Sequence, residues 1–261
     1  MVNEITNSTS SAVPEHIEID PILDEMLKAG VLYGRSKSKT HPKMIPYVHA
    51  TRNGMAILDV EKTPEMIKSA GAAIKAVCEK KGLVLFVGTT PPAKLAVKTL
   101  AEKTGYPYIT VRWLGGILTN FKTLSKRLDY YEKLKSDKAS GRLEKYTKKE
   151  RLDFTKEIER LAHLFGGLEQ LKRVPDLMVV AGVSDHMIAV KEAKKIRIPV
   201  VGILSSNVDP ALVEYPIVAN DRSASSIQWV MERLEQYVEE GKRSAVVSAP
   251  EKPESRKQDK K

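Results

Sequence analysis

The sequence predicts an α/β fold: a doubly wound parallel sheet of about five strands with an inserted antiparallel coiled-coil helical hairpin. Three observations lead there. Short apolar runs (MAILDV, LVLFVG, YITV, DLMVVAG, PVVGILS) are separated by helical segments, the pattern of βαβ units whose strands are covered on both faces. Between Asn120 and Arg173 the apolar residues recur in alternating steps of three and four, the seam of two supercoiled helices. Finally, 261 residues, 42% hydrophobic and 29% charged, suffice for one large domain carrying an insertion. They exclude a collagen-like, disulfide-scaffold or wholly disordered chain.

Residues 1–18, rich in Ser, Thr, Asn and Glu, are expected to form a mobile tail. They hold no apolar signal-peptide core. No run in the chain approaches the roughly 18 apolar residues that a membrane span needs, so a cytoplasmic protein is the economical reading. From Asp20 the pattern is helical, with Ile22, Leu23, Met26 and Leu27 on one face and Gly30 as the stop. Residues Gly30 to Asn53 carry five basic side chains and no acidic one. Pro42 and Pro46 forbid one continuous helix, so this segment reads as an extended basic arm or loop.

Met55 to Val60 reads as the first strand. Thr63 and Pro64 then serve as N-cap and first-turn proline of a helix to about Cys78. Leu83 to Gly88 is a buried strand, about Pro92 to Lys103 a helix, and Tyr108 to Val111 a third strand. The alternation resumes with a strand at Asp176 to Gly182, a helix at His186 to Lys195 and a strand at Pro199 to Ser205. The last helix spans about Ser223 to Glu240, with Ile227, Val230, Leu234 and Val238 on one side. In the insertion, Phe121, Leu124, Leu128 and Tyr131 form one seam, and Phe154, Ile158, Leu161, Phe165 and Leu168 the other. Ser140-Gly141 marks the turn, and Thr147 with Glu150 has capping-box spacing. The expected organisation is an α/β domain at 19–119 and 174–240, the hairpin at 120–173 and a disordered basic tail at 241–261.

Charge narrows the function. There are 43 basic and 33 acidic residues, a formal charge of +10. The excess suits a polyanionic partner, although basic proteins without one exist. Residues 121–173 hold 15 basic and 9 acidic side chains, and the tail seven and three. Either set could face nucleic acid or simply be solvated. Cys78 is the sole cysteine, which excludes an intrachain disulfide and a multi-cysteine zinc site.

Catalytic patterns are missing. GTTPPAKL (Gly88 to Leu95) follows a strand but has Ala93 and Leu95 where a phosphate loop needs glycine and a hydroxyl residue. Pro91 and Pro92 remove two N–H donors. His16, His41, His49, His163 and His186 show no ligand spacing, and Asp185-His186 are neighbours that diverge on a helix. No nucleophile, base and oxyanion set assembles. Arg112-Trp113 after the third strand could stack a base or anchor the hairpin root; the Gly-rich LGGILTN that follows favours packing.

These motifs carry a family resemblance. GVLYGRSKSKTHPKMIPYV (from Gly30), VEKT (Val60 to Thr63), LFVGT (Leu85 to Thr89) and RWLGGILTNFKT (Arg112 to Thr123) come first. YTKKE (Tyr146 to Glu150), FGGL (Phe165 to Leu168), PDLMVV, IAVKEA (Ile188 to Ala193), IPVVGI and NVDP (Asn207 to Pro210) follow in order. Over about residues 20–243 the chain closely resembles the bacterial small-ribosomal-subunit protein two family (universal small-subunit ribosomal protein number two). The resemblance implies a flavodoxin-like domain with a coiled-coil insertion and a structural role in the small subunit. The family binds small-subunit rRNA between head and body, touches neighbouring subunit proteins and supports docking of protein one for mRNA capture. It implies no enzymatic activity, cofactor, membrane or small-molecule substrate. Members commonly carry two histidines where this chain has Leu32 and Arg35, and aspartates where it has Gly182 and Ser205. Metal ligands are therefore not carried over, and Arg35 is expected to supply fixed positive charge instead.

The residues expected to meet rRNA phosphates are Arg35, Lys37, Lys39, Lys43 and Arg52 in the arm and Arg112 beside the hairpin root. In the hairpin they are Lys122, Lys126, Arg127, Lys145, Lys148, Lys149 and Arg151. The rival readings are a nucleotide- or phosphosugar-binding α/β enzyme, favoured by fold analogy alone, and a free RNA-binding regulator.

Overall fold

The structure, a computed structural model, describes residues 20–247; the tail expected at 1–18 lies outside them, as does the end of the basic tail. Helix α1 (Pro21–Ala29) opens on Asp20, whose carboxylate accepts the Ile22 N–H at 2.9 Å. It closes on Gly30, left-handed at φ 71°. Such a glycine supplies the C-terminal turn without the steric penalty a Cβ brings.

The basic segment after Gly30 is not an extended arm. It folds into β1 (Tyr33–Ser36), two 3-10 turns (Lys37–Lys39 and Pro42–Tyr47) and β2 (Val48–Arg52). With β3 (Met55–Leu58) these make an antiparallel sheet of order β1-β3-β2. Met55 to Val60 was expected in the main sheet; it stops at Leu58 and serves this small sheet instead. The cause is local. Asn53 (φ 50°) and Gly54 (φ 75°) sit between Arg52 and Met55, which pair across the ladder. Asn-Gly adopts the left-handed two-residue turn that matches strand twist and joins antiparallel neighbours.

The main sheet is parallel, of order β5-β4-β6-β7-β8. It comprises β4 (Val84–Val87), β5 (Tyr108–Ile109), β6 (Leu177–Ala181), β7 (Val200–Leu204) and β8 (Tyr215–Val218). The expected count of five holds, with β8 taking the place given to Met55 to Val60. Pro216 conceals β8 in the sequence; a proline cannot donate to a ladder and is tolerated on an edge strand. β8 is such an edge, with Pro216 opposite Gly202.

Alternate strand residues part to the two faces, as the pleat requires. Leu85, Val87, Met178, Val180, Val200 and Leu204 join one buried cluster with Val190 of α6 (Met187–Lys195). Phe86, Val179, Val201 and Ile203 join the other. That second cluster is covered by α1, α2 (Thr63–Glu79), α3 (Pro91–Thr104) and α7 (Ala224–Val247). Helices on both faces make the sheet doubly wound.

Two boundaries differ from expectation. Thr63 is not the N-cap of α2 but its first residue. Fully buried, it donates its hydroxyl to the Val218 carbonyl at 2.9 Å, a bond between α2 and β8 that sequence neighbours cannot reveal. Helix α7 continues to Val247, past the expected boundary at 240. Ala245 is buried, and the Lys242 ammonium lies 4.5 Å from the Tyr106 ring centroid, so the first residues of the basic tail pack as helix.

Between β5 and β6 the chain leaves the sheet as α4 (Phe121–Ala139) and α5 (Lys148–Phe165), which pack on each other. Leu124, Leu128, Tyr131 and Leu134 share one apolar cluster with Ile158, Leu161 and Phe165. Gly141 turns the chain at φ 72°. The capping box forms as expected: the Thr147 N–H donates to Glu150 at 2.9 Å and the Glu150 N–H to Thr147 Oγ1 at 3.4 Å. The exit is fixed from α6. Glu192 accepts from the Trp113 indole at 3.1 Å and from the backbone N–H of Gly116 at 2.8 Å, Leu118 at 3.2 Å and Thr119 at 3.3 Å. Trp113 thus anchors the hairpin root.

Burial pushes the Glu192 carboxyl up, but the donors around it outweigh that and hold it below the usual carboxylate range. A depressed folded pKa gives stability that is present above the unfolded value of about 4.3 and is lost as pH falls through the folded value. Glu192→Ala should cost about 2–3 kcal/mol in urea unfolding at neutral pH. The loss should shrink as the pH is brought down toward and below 4. A pH-independent deficit would show that the charge is not what matters.

Candidate nucleic-acid interface

In an open parallel sheet, ligands bind beyond the carboxyl ends of the strands where the strand order reverses, here between β4 and β6. That point is bridged by a side chain. His186 is buried; its Nδ1 lies 2.7 Å from the Gly182 carbonyl and its Nε2 lies 3.0 Å from the Thr89 N–H. A carbonyl on one side requires Nδ1–H, and an N–H on the other requires a bare Nε2. The ring is therefore the neutral Nδ1–H tautomer, and burial holds its pKa down. It ties two turns together and offers no proton to a substrate. Helix α3 starts on Pro91 and Pro92, so the neighbouring turn lacks those two N–H donors. Among the described residues no three His, Cys, Asp or Glu side chains group together.

The predicted cations divide into two classes. Arg35 does not reach outward. Its side chain is 14% exposed and its Nη2 lies 2.9 Å from Asp221 Oδ1 and 3.0 Å from Oδ2, which accepts the hydrogen bond. The Asp221 side chain is fully buried. Burial raises its pKa, against the pull of Arg35. The expectation that Arg35 meets phosphate is corrected by this pair: its charge stabilises a carboxylate that solvent cannot reach. The Arg35 backbone N–H also donates to buried Ser206 at 2.9 Å. Lys43 is exposed but held 2.6 Å from Asp209. The Lys43 hydrogen bond, then the Ala211 N–H, lower the Asp209 pKa.

Lys37, Lys39 and Arg52 are exposed, and none has an ion-pair partner among the described residues. The Lys37 N–H donates to the Gly54 carbonyl at 2.8 Å, which brings Lys37 beside the turn that follows Arg52. Arg112 is exposed after β5. In the insertion, Lys122, Lys126 and Arg127 stand in the first two turns of α4, at the end held by Glu192. Lys145, Lys148, Lys149 and Arg151 stand where α5 begins. All seven are exposed, and none has an ion pair among the described residues; Lys145 lies 5.2 Å from the Tyr146 ring centroid. By contrast Lys135, Arg142 and Arg160 of the same helices and turn are paired, with Glu169, Asp137 and Glu157.

This placement opposes local stability. A helix N-terminus carries partial positive charge and favours acidic side chains. No acidic residue stands in the first turn of α4, and in α5 the capping-box carboxylate of Glu150 is the one acidic group set against Lys148, Lys149 and Arg151. Cations at both starts raise the local potential, which a polyanion can relieve.

The model of the family described as ribosomal protein S2 matches residues 26–241. The chain is 38% identical over 232 residues to the small ribosomal subunit protein uS2 of Thermus thermophilus, covering 89% of this chain and 91% of that one. It is 36% identical to the uS2 of Coprothermobacter proteolyticus, over 87% of this chain and 85% of that one. Against the uS2 of Fusobacterium nucleatum the identity is 38%, over 84% and 89%.

Arg35 and Asp221 can be tested as a pair. Arg35→Met alone leaves a buried carboxylate without its partner and should cost about 3–5 kcal/mol in equilibrium unfolding. The double change with Asp221→Leu should recover most of that loss. If both variants unfold alike, the pair does not hold the small sheet to the main one.

Proposed function

This chain belongs to the ribosomal protein S2 family and is a structural, non-enzymatic component of the small ribosomal subunit; we propose that it binds small-subunit rRNA through its unpaired cations. The chain docks between head and body, touches neighbouring subunit proteins, and supports attachment of protein one for mRNA capture in the cytoplasm. The supporting observation is the set of unpaired lysines and arginines at the starts of α4 and α5, where helix electrostatics disfavour them.

The division of labour follows from rigidity. The two helices, read as a coiled-coil hairpin, hold Lys122, Lys126 and Arg127 near the root. Lys145, Lys148, Lys149 and Arg151 stand at the far turn, beyond the other end of a 19-residue helix about 28 Å long. Phosphate contacts at two separated points fix the register of a docked duplex without reading its sequence. Lys37, Lys39, Arg52 and Arg112 add contacts from the α/β body.

Replacing Lys148, Lys149 and Arg151 together by Gln should reduce the slope of log affinity for small-subunit rRNA against log salt by about three. The same change should leave the helix intact and raise stability by up to about 1 kcal/mol. An unchanged salt slope would remove the start of α5 from the interface. A loss of stability would show that those cations serve the fold.

A further inference from the structure

We propose that the outer face of the small antiparallel sheet is a stacking site for an unpaired RNA base, with Tyr33 as the platform and Arg52 and Asn53 at its polar edge. The proposal rests on the rRNA reading above and deepens it, since phosphate neutralisation alone needs neither an aromatic ring nor a concavity.

The register builds the site. Tyr33 of β1 lies opposite Ile57 of β3, and Met55, two residues earlier on the same strand, lies opposite Arg52 of β2. Side chains directly opposite, and those two apart, share one face of a sheet. Tyr33, Ile57, Met55 and Arg52 therefore line a single surface. With Leu32 and Asn53 they surround a concavity of about 390 Å³. Tyr33 remains 49% exposed and Met55 43% exposed. The Tyr33 ring lies beside the end of α1: a β-carbon added at Gly30 would meet its Cδ2 at 3.6 Å.

The chemistry of the lining selects the occupant. Its floor is aromatic and aliphatic, which suits the faces of a heterocycle; its rim is a guanidinium and an amide, which suit the edges. Arg52 has no ion pair among the described residues, and Lys37 is tied to the adjacent turn. No acidic residue occurs between Gly30 and Asn53. An apolar patch set in uncompensated positive charge matches a base on a phosphate backbone, because stacking and phosphate attraction then act on one ligand. Bases within a duplex are stacked on one another and present no face. The ligand is therefore an unpaired nucleotide, at a loop, bulge or strand end.

The experiment uses the full chain and two probes, a labelled unpaired ten-nucleotide oligoribonucleotide and a labelled duplex of equal length, read by fluorescence anisotropy. Tyr33→Leu should weaken the unpaired probe about tenfold and leave the duplex unchanged. Tyr33→Phe should behave as wild type. A 4-thiouridine version of the unpaired probe should crosslink to β1 or to the turn after β2. If Tyr33→Leu binds the unpaired probe as wild type does, the face holds an apolar side chain of a neighbouring protein rather than a base, and the proposal falls. If the unaltered chain binds neither probe, the rRNA reading falls with it. Duplex binding that survives with no Tyr33 effect overturns the base site alone.

Discussion

The carboxylate of Glu192 is the constraint on which the functional geometry depends. A loop rich in glycine leaves β5, crosses one face of the sheet and begins α4 with no help from capping side chains of its own. Its backbone donors at Gly116, Leu118 and Thr119, with the Trp113 indole, converge on one acidic side chain of α6. Backbone N–H groups near a protein interior must find acceptors. One carboxylate accepts several of them, because it is ionised and has about four lone-pair positions. The exit direction of α4 is thereby set by the main sheet, and with it the place of every cation on the two helices. A looser root would leave those charges on a swinging arm.

Charges fall into those that hold the fold and those that do not. Arg35 and Asp221 fasten the small sheet to the end of β8, and Lys43 with Asp209 fastens the 3-10 turn to the segment after β7. Exposed pairs of the second kind contribute little. The buried pair is different, since removing either partner strands the other. Among the cations left without an ion pair in the described residues, Lys122, Lys148 and Lys149 stand in the first turns of α4 and α5, where helix electrostatics disfavour them.

Much of the fold is legible in the sequence because it is decided locally. Capping at Thr147 and Glu150, the stop at Gly30, four of the five parallel strands and the seam residues Leu124, Leu128, Ile158, Leu161 and Phe165 all follow from short-range chemistry and period. The remainder depends on partners distant in the chain. Whether Thr63 caps a helix or ties it to β8 depends on Val218, 155 residues away. Whether Arg35 is a surface cation depends on Asp221, 186 residues away. β8 is hidden by Pro216, which is harmless only on an edge, and edges are a property of the assembled sheet. One local signal was available: Asn53-Gly54 between two strand-like runs marks the hairpin that turns the supposed arm into a sheet. Of the candidate site, the hairpin cations stand exposed where the period puts them. Arg35 falls away because charge counting is blind to pairing, while Lys43 stays exposed beside Asp209.

The hairpin turn and the buried ion pair are connected. Arg35 is the third residue of β1, two after Tyr33, so the anchor to Asp221 and the exposed ring lie on the same strand. The register against β3 shifts between Tyr33 and Ser36, so Tyr33 faces outward while Arg35 turns in to Asp221; a strand pinned at one position has its register constrained at the rest. The Ser206 hydroxyl pins the backbone at Arg35 as well. A surface made of three short strands would be marginal alone, since small antiparallel sheets need packing on a larger body to hold their shape. Here the larger body supplies it through a charge pair that water does not reach. The outer face of the small sheet is therefore rigid before any ligand arrives, and a ligand that binds it does not bear the cost of ordering it.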